Sequence, residues 1–490
     1  MNRQIRRVGI ALLVCYLAVF VQLNRIQVVD ADKLNNDPFN SRRAQREYNR
    51  PRGQILSAEG AVLARSEDSE GRFYRRKRVY PEAELFGHIT GYLSFNYGLT
   101  GVERQYNDDL SGQSFQVQVN SVQDMLIAGN ENVGNVTLTL RKDLQQVARQ
   151  SLGEREGAVV LLDPRTGELL ALWSFPSFDP NLIASTDREV MENAWSIYNL
   201  AQGKPLLAHS YRERYFPGST FKLVTAGTGL QTGKVTPESP VYDARTSYLP
   251  PQTTRPIQNF GGGTCGGALF AILRDSCNSA FAEMGQSTIG AVDMVRGAES
   301  FGFNQPVPID LPDPTQSIFP TDVIATPNPP KLAQASIGQN DVAATPLQIA
   351  LVAGAPGNGG RIMKPHVLKD VRTSEGKVAR TFEPEEWVAP MSPEHAQTLR
   401  DAMLGVVSGG TAAGLQIPGY EIGGKTGTAQ LGNGLVHTWI AGFAGQPGQA
   451  PSLAFAVVVL NQAETSQTTG GAISVPVART LLQAALPLPR

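Results

Sequence analysis

The first strong apolar pattern in this chain of 490 residues is Val8 to Asn24, a run without a charge. Arg3, Arg6 and Arg7 precede it and Arg25 closes it. As a helix the run spans about 25 Å, close to the roughly 30 Å of a bilayer core. Ile26, Val28 and Val29 extend it if the Arg25 side chain reaches back to the interface. Basic residues ahead of the span orient it with the N-terminus inside. The expectation is a cytoplasmic tail over 1–7, a transmembrane anchor over 8–24 and an exported body. A cleaved signal peptide is the rival reading, since Val29-Asp30-Ala31 loosely resembles a cleavage site. It exports the body as well.

Further along, short apolar runs predict strands at Gly157–Leu162 and Glu168–Trp173. A second group is predicted at Lys425–Gln430, Thr438–Phe443 and Leu453–Leu460. Val475–Ala485 carries a helical pattern. The segments around Ser219 and Ser276 read as helices lying between the two strand groups. This order predicts an α/β (α+β) domain over 150–490: a mainly antiparallel sheet flanked by helices, with a cleft between the Lys425 strand and the mid-chain helices. Residues 25–140 are rich in Arg, Asn and Gly, with short candidate strands such as Phe115–Val119 and Val136–Leu140, and read as an extended pedestal. The basic run Arg75-Arg76-Lys77-Arg78 is expected to be a solvated face. Thr236 to Pro256, rich in Pro and Thr, is expected to be a loop.

Composition narrows the picture. Apolar residues make up 41% and charged residues 18%, ordinary for a globular protein, and the formal net charge of −1 gives no basic face for a nucleic acid. The three cysteines are Cys15, in the candidate anchor, and Cys265 and Cys277 in the exported body, where oxidation is allowed. The latter two are a disulfide or two buried thiols. The histidines (88, 209, 366, 395 and 437) are scattered and no C-x-x-C occurs, so neither a metal site nor a cofactor is expected.

The chemistry sits in three motifs in fixed order: Ser219-Thr220-Phe221-Lys222, Ser276-Cys277-Asn278 and Lys425-Thr426-Gly427-Thr428. They read S-x-x-K, S-x-N and K-T-G, the set of penicillin-binding proteins and class A β-lactamases. A second S-x-x-K, Ser374-Glu375-Gly376-Lys377, lies in a polar stretch that predicts a hairpin turn, and Ser94-Phe95-Asn96 fits S-x-N but precedes the nucleophile. Pro217-Gly218 ahead of Ser219 and the helix-compatible run after it put Lys222 on the face of Ser219. Ser219 is then the candidate nucleophile and Lys222 its base, active only when neutral. Lys425 supplies a positive charge from across the cleft. Ser276 can relay a proton to the leaving amine, and Asn278 can bond the substrate amide. The hydroxyls of Thr426 and Thr428 can hold a substrate carboxylate beside Lys425, and the N–H groups of Ser219 and Thr428 can form an oxyanion hole.

On these residues the chain resembles the class B penicillin-binding proteins, monofunctional peptidoglycan transpeptidases. The likeness extends to Gly157–Glu168, Pro176–Asn181, Ser336-Ile337-Gly338-Gln339, Thr345-Pro346-Leu347-Gln348 and His437-Thr438-Trp439. Upstream, Arg52-Gly53-Gln54-Ile55-Leu56 and Gly101-Val102-Glu103 through Tyr106 resemble the family's N-terminal region. Ser57 stands where the family usually has Asp, and Asn340 where Gly is common. In length and cysteine pair the chain is most similar to a short actinobacterial form. The resemblance implies the penicillin-binding transpeptidase fold and cross-linking of stem peptides through an acyl-enzyme that β-lactams trap. It implies a membrane-held protein working beside a polytopic polymerase of the shape, elongation and division type.

Residues before 150 are too few for a glycosyltransferase domain. No E-x-x-L-N motif, which would activate a deacylating water, falls between Ser276 and Lys425. Two rivals use the same features: a D,D-carboxypeptidase, with water as acceptor, and a non-catalytic wall-assembly scaffold or lactam sensor. The intact lysines speak against a dead scaffold.

Overall fold

A computed structural model describes residues 3–30, 48–69, 74–120 and 133–486. Helix α1 (Arg3–Asn24) continues through a wider turn, Arg25–Val29, and none of its residues is buried against protein. A helix apolar on every side with no protein around it is suited to lipid.

The first part of the body contains β1 (Ile55–Leu56), β2 (Val62–Asp68), β3 (Arg76–Val79) and β4 (Asn135–Leu138). Ser57 Oγ accepts the Ala61 N–H at 3.0 Å and closes the turn between β1 and β2, so a hydroxyl serves there. Phe115–Asn120 is a helix and not the strand its alternation suggests. Ser114 Oγ accepts the Val117 N–H, a helix-starting cap, and Val117 is buried while Phe115 stands exposed. The basic run is also not uniformly solvated. Arg78 is buried, and its Nε donates to Glu103 Oε1 at 2.6 Å; Arg52 Nε donates to Glu103 Oε2 at 2.6 Å. The Arg-Gly and Gly-Val-Glu motifs thus meet in one buried ion cluster.

Helix α2 (Lys142–Leu152) leads into β5 (Gly157–Leu162) and β6 (Leu169–Phe175), followed by α3 (Arg188–Leu200), α4 (Lys222–Gln231), α5 (Asn278–Glu283) and α6 (Pro346–Gly354). Then come β7 (Leu368–Arg372), β8 (Val378–Thr381), α7 (Pro393–Gly409), β9 (Glu421–Gln430), β10 (Leu435–Gly445), β11 (Leu453–Ala463) and α8 (Gly470–Ala485). The polar Ser374–Lys377 stretch is the turn between β7 and β8.

Two sheets organise these elements. One has the order β8-β7-β4-β1-β2-β3, so a hairpin from residues 368–381 completes the sheet of the N-terminal region. The other, β9-β10-β11-β5-β6, is antiparallel at every pairing. Every residue of β5 is buried and so are the first eight of β11, which requires cover on both faces of the sheet. Helices α2, α6, α7 and α8 supply it. β9 forms one edge, and against it pack α7 and the turn that opens α4.

Candidate active site

Ser219 lies in a single 3₁₀ turn, Gly218–Phe221, that passes into α4 at Lys222. Side chains three apart eclipse in a 3₁₀ turn, so Ser219 and Lys222 share a face. The turn is held from three sides. Gly218 N donates to Gly338 O at 2.9 Å, Thr220 Oγ1 to Pro217 O at 2.8 Å, and Trp439 Nε1 to Phe216 O at 3.0 Å. Gly218 has φ of +53°, and a Cβ there would stand 2.8 Å from Thr428 O. Only a residue without a side chain brings this turn so close to β9. The Ser-Ile-Gly-Gln and His-Thr-Trp motifs therefore act as backing for the Ser219 turn.

The second motif sits in the bend before α5, not on a helix: Ser276 has φ of +55°, a left-handed conformation that a non-glycine residue adopts at a cost. Cys277, next to it, is bridged to Cys265 with Cα atoms 5.8 Å apart. Asn259 adds a second tie, its Oδ1 accepting the Ser279 N–H at 2.8 Å.

The third motif lies on β9. Lys425 and Lys222 are both completely buried, whereas Ser219, Ser276, Asn278 and Thr428 are half-buried. Two amines thus lie beneath a row of partly open polar groups. Lys425 Nζ donates to Ser276 Oγ at 2.6 Å and to Thr426 O at 3.1 Å. Lys222 Nζ is 3.3 Å from the same Ser276 Oγ and donates to Ser276 O and to Asn278 Oδ1, both at 2.7 Å. One hydroxyl therefore joins the two lysines.

Burial lowers the pKa of Lys222 well below the usual lysine range, and the charge on Lys425 lowers it further. Burial brings Lys425 down to about 7. The pair therefore suits a neutral amine beside a cationic one.

The structure adds detail that the sequence does not carry. Lys222 shares a face with Ser219, but among the described residues no hydrogen bond engages the Ser219 hydroxyl; Lys222 turns to Ser276 and Asn278. The Asn278 amide accepts from Lys222 at Oδ1 and donates to Gln258 O from Nδ2 at 2.9 Å, which leaves the second N–H of Nδ2 without a partner among the described residues. Thr411 was missed. Its hydroxyl lies 2.6 Å from that of Thr426, so it orients a group expected to meet a substrate carboxylate. The one local signal is its place just after the Gly409-Gly410 end of α7. Thr428 Oγ1 accepts the Gly470 N–H at 3.4 Å. Among the described residues no cluster of His, Cys, Asp or Glu could hold a metal.

Comparison with known proteins places this geometry. Residues 157–483 match the penicillin binding protein transpeptidase domain, and residues 52–136 match the penicillin binding protein A dimerisation domain. The peptidoglycan D,D-transpeptidase PbpA of Mycolicibacterium smegmatis is 36% identical over 99% of both chains. The protein of the same name from Mycobacterium tuberculosis is also 36% identical over 99% of both. Among solved structures, the ceftriaxone acyl-enzyme of M. tuberculosis penicillin-binding protein A is 34% identical. It superposes with a TM-score of 0.83 over 90% of this chain and 100% of that one. The penicillin G acyl-enzyme of the same protein gives 0.81 over 89% and 99%.

Proposed function

The chain belongs to the penicillin-binding protein transpeptidase family, and we propose that Ser219 is the nucleophile through which it acts. It is a peptidoglycan D,D-transpeptidase that works through a serine acyl-enzyme and is inhibited by β-lactams. The observation that carries the assignment of Ser219 is the unengaged hydroxyl on a fixed turn, on the face of a buried lysine whose pKa is lowered.

In the proposed sequence these groups act in turn. Neutral Lys222 takes the Ser219 proton as Oγ bonds to the penultimate D-alanine carbonyl. The N–H groups of Ser219 and Thr428 receive the oxyanion; one such donor contributes about 3 kcal/mol in other acyl-transfer enzymes. Ser276, between the two lysines, passes a proton to the departing amine, so the C–N bond breaks and terminal D-alanine leaves. An amine of a neighbouring stem then attacks the ester, and its proton returns Ser219 to the hydroxyl. Lys425 with Thr426 and Thr428 holds the substrate carboxylate, and Gly427 lets the strand lie close to the Ser219 turn. Helix α1 serves as a single-pass anchor that keeps the body outside the membrane. With residues 25–140 it is the part available to a polytopic glycan polymerase.

Fluorescent penicillin tests the assignment. The full chain is expected to be labelled stably and Ser219→Ala not at all, with both melting at the same temperature. Equal labelling of the two rejects Ser219.

A further inference from the structure

Between the N-terminal region and the catalytic domain lies a cleft of about 460 Å³ that none of the proposed catalytic residues lines. Its volume is that of a small-ligand site. Two of its residues are more than nine-tenths buried and carry polar atoms without partners. Tyr211 is 3% exposed as a residue, and its hydroxyl, which has no partner among the described residues, opens into the cleft. His88 is 8% exposed; its Nε2 donates to Pro205 O at 2.8 Å, which leaves Nδ1 as an unused acceptor. Neither atom is sealed from solvent, so both open into the cleft and are free to bond a polar occupant.

Two cations, Lys204 and Arg212, one carboxylate, Asp313, and aromatic faces stand in the same cleft. Arg212 is 3.7 Å from Asp313, whose closer partner is Arg104 at 2.8 Å, so the Arg212 guanidinium keeps donors to spare. Trp195 and Tyr198 come from α3, and Tyr97 stacks on one face of Trp195 at 4.0 Å and fixes the ring. A purely apolar ligand would leave Tyr211, His88 and Arg212 unsatisfied. A bare anion would leave the aromatic walls uncovered.

We propose that this cleft binds an anionic sugar, a pyranose carrying a carboxylate. The ring lies against Trp195 and Tyr198, the carboxylate meets Arg212, and hydroxyl or amide groups meet Tyr211 and His88. The test is saturation-transfer NMR on the full chain in detergent, with N-acetylmuramic acid as probe and Ser219 blocked beforehand by penicillin G. Binding is expected to survive the block, to weaken at least five-fold in Arg212→Gln and in Tyr211→Phe, and to be at least five-fold weaker for the uncharged N-acetylglucosamine. Both variants should still be acylated by penicillin at the wild-type rate, which shows that they fold. Four results overturn the proposal: no signal from wild type, loss of signal on acylation, equal signals in the variants, or full displacement by equimolar inorganic phosphate.

Discussion

At the scale of single residues the site depends on two lysines held where lysine is least comfortable. Lys425 has a folded pKa of about 7, against about 10.4 for a free side chain. Between these values the unfolded chain binds the extra proton, so this group makes stability rise with pH over that window. At pH 7 and below it costs stability, on the order of 1.4 kcal/mol for every pH unit between the folded and free values. Lys425→Met is therefore expected to raise the melting temperature at pH 6–7 and to abolish acylation, read by scanning fluorimetry beside penicillin labelling. In the wild type, acylation should fall as pH climbs through about 7, because the carboxylate loses its cation; a flat profile from pH 6 to 9 would contradict that role. These residues were legible because acyl transfer needs particular side chains at particular spacings, and those survive as letters. The left-handed φ of Ser276 was not, since a serine gives no sign of its backbone conformation. Asn340 is the complementary case: its φ of +62° is one asparagine tolerates, which explains how it occupies a position where glycine is common.

At the scale of elements, the cleft is a close meeting of a turn with the edge of a sheet. Gly218→Ala adds the cost of a positive φ to a contact at 2.8 Å, and is expected to lower stability by about 1–3 kcal/mol and acylation at least ten-fold. The Cys265–Cys277 bridge spans a sequence separation of 12 and fixes the bend that carries Ser276. A double Cys→Ser variant is expected to lose about 3 kcal/mol and to label more slowly; an unchanged rate would mean that Asn259 alone holds the bend. The strands of the catalytic sheet were readable from apolar runs that both faces bury. Phe115–Asn120 was not, because F-Q-V-Q-V alternates like a strand while the cap on Ser114 and the core position of Val117 decide for helix. Arg78 misled for a similar reason: four basic residues in a row do not reveal which one finds Glu103.

At the scale of the whole molecule, both sheets are closed by segments distant in sequence. Burial raises the Glu103 carboxyl's pKa, but Arg78 and Arg52 outweigh it and hold that pKa below the ordinary range. Glu103→Gln leaves two guanidiniums in the interior with their counter-charge gone, an expected loss of about 3–5 kcal/mol in denaturant melts. Molecules still folded should acylate normally, since none of the side chains bonded in the cluster belongs to the candidate site. The larger consequence concerns the order of synthesis. Gly157 of β5 pairs with Val459 of β11, and the serine turn rests on Thr428. A chain made N-terminus first thus presents Ser219 long before the strands that complete the site. Until β9 to β11 have been made and paired, the Ser219 turn has no sheet edge to rest on, so penicillin labelling is expected to mark a completed chain as well as activity.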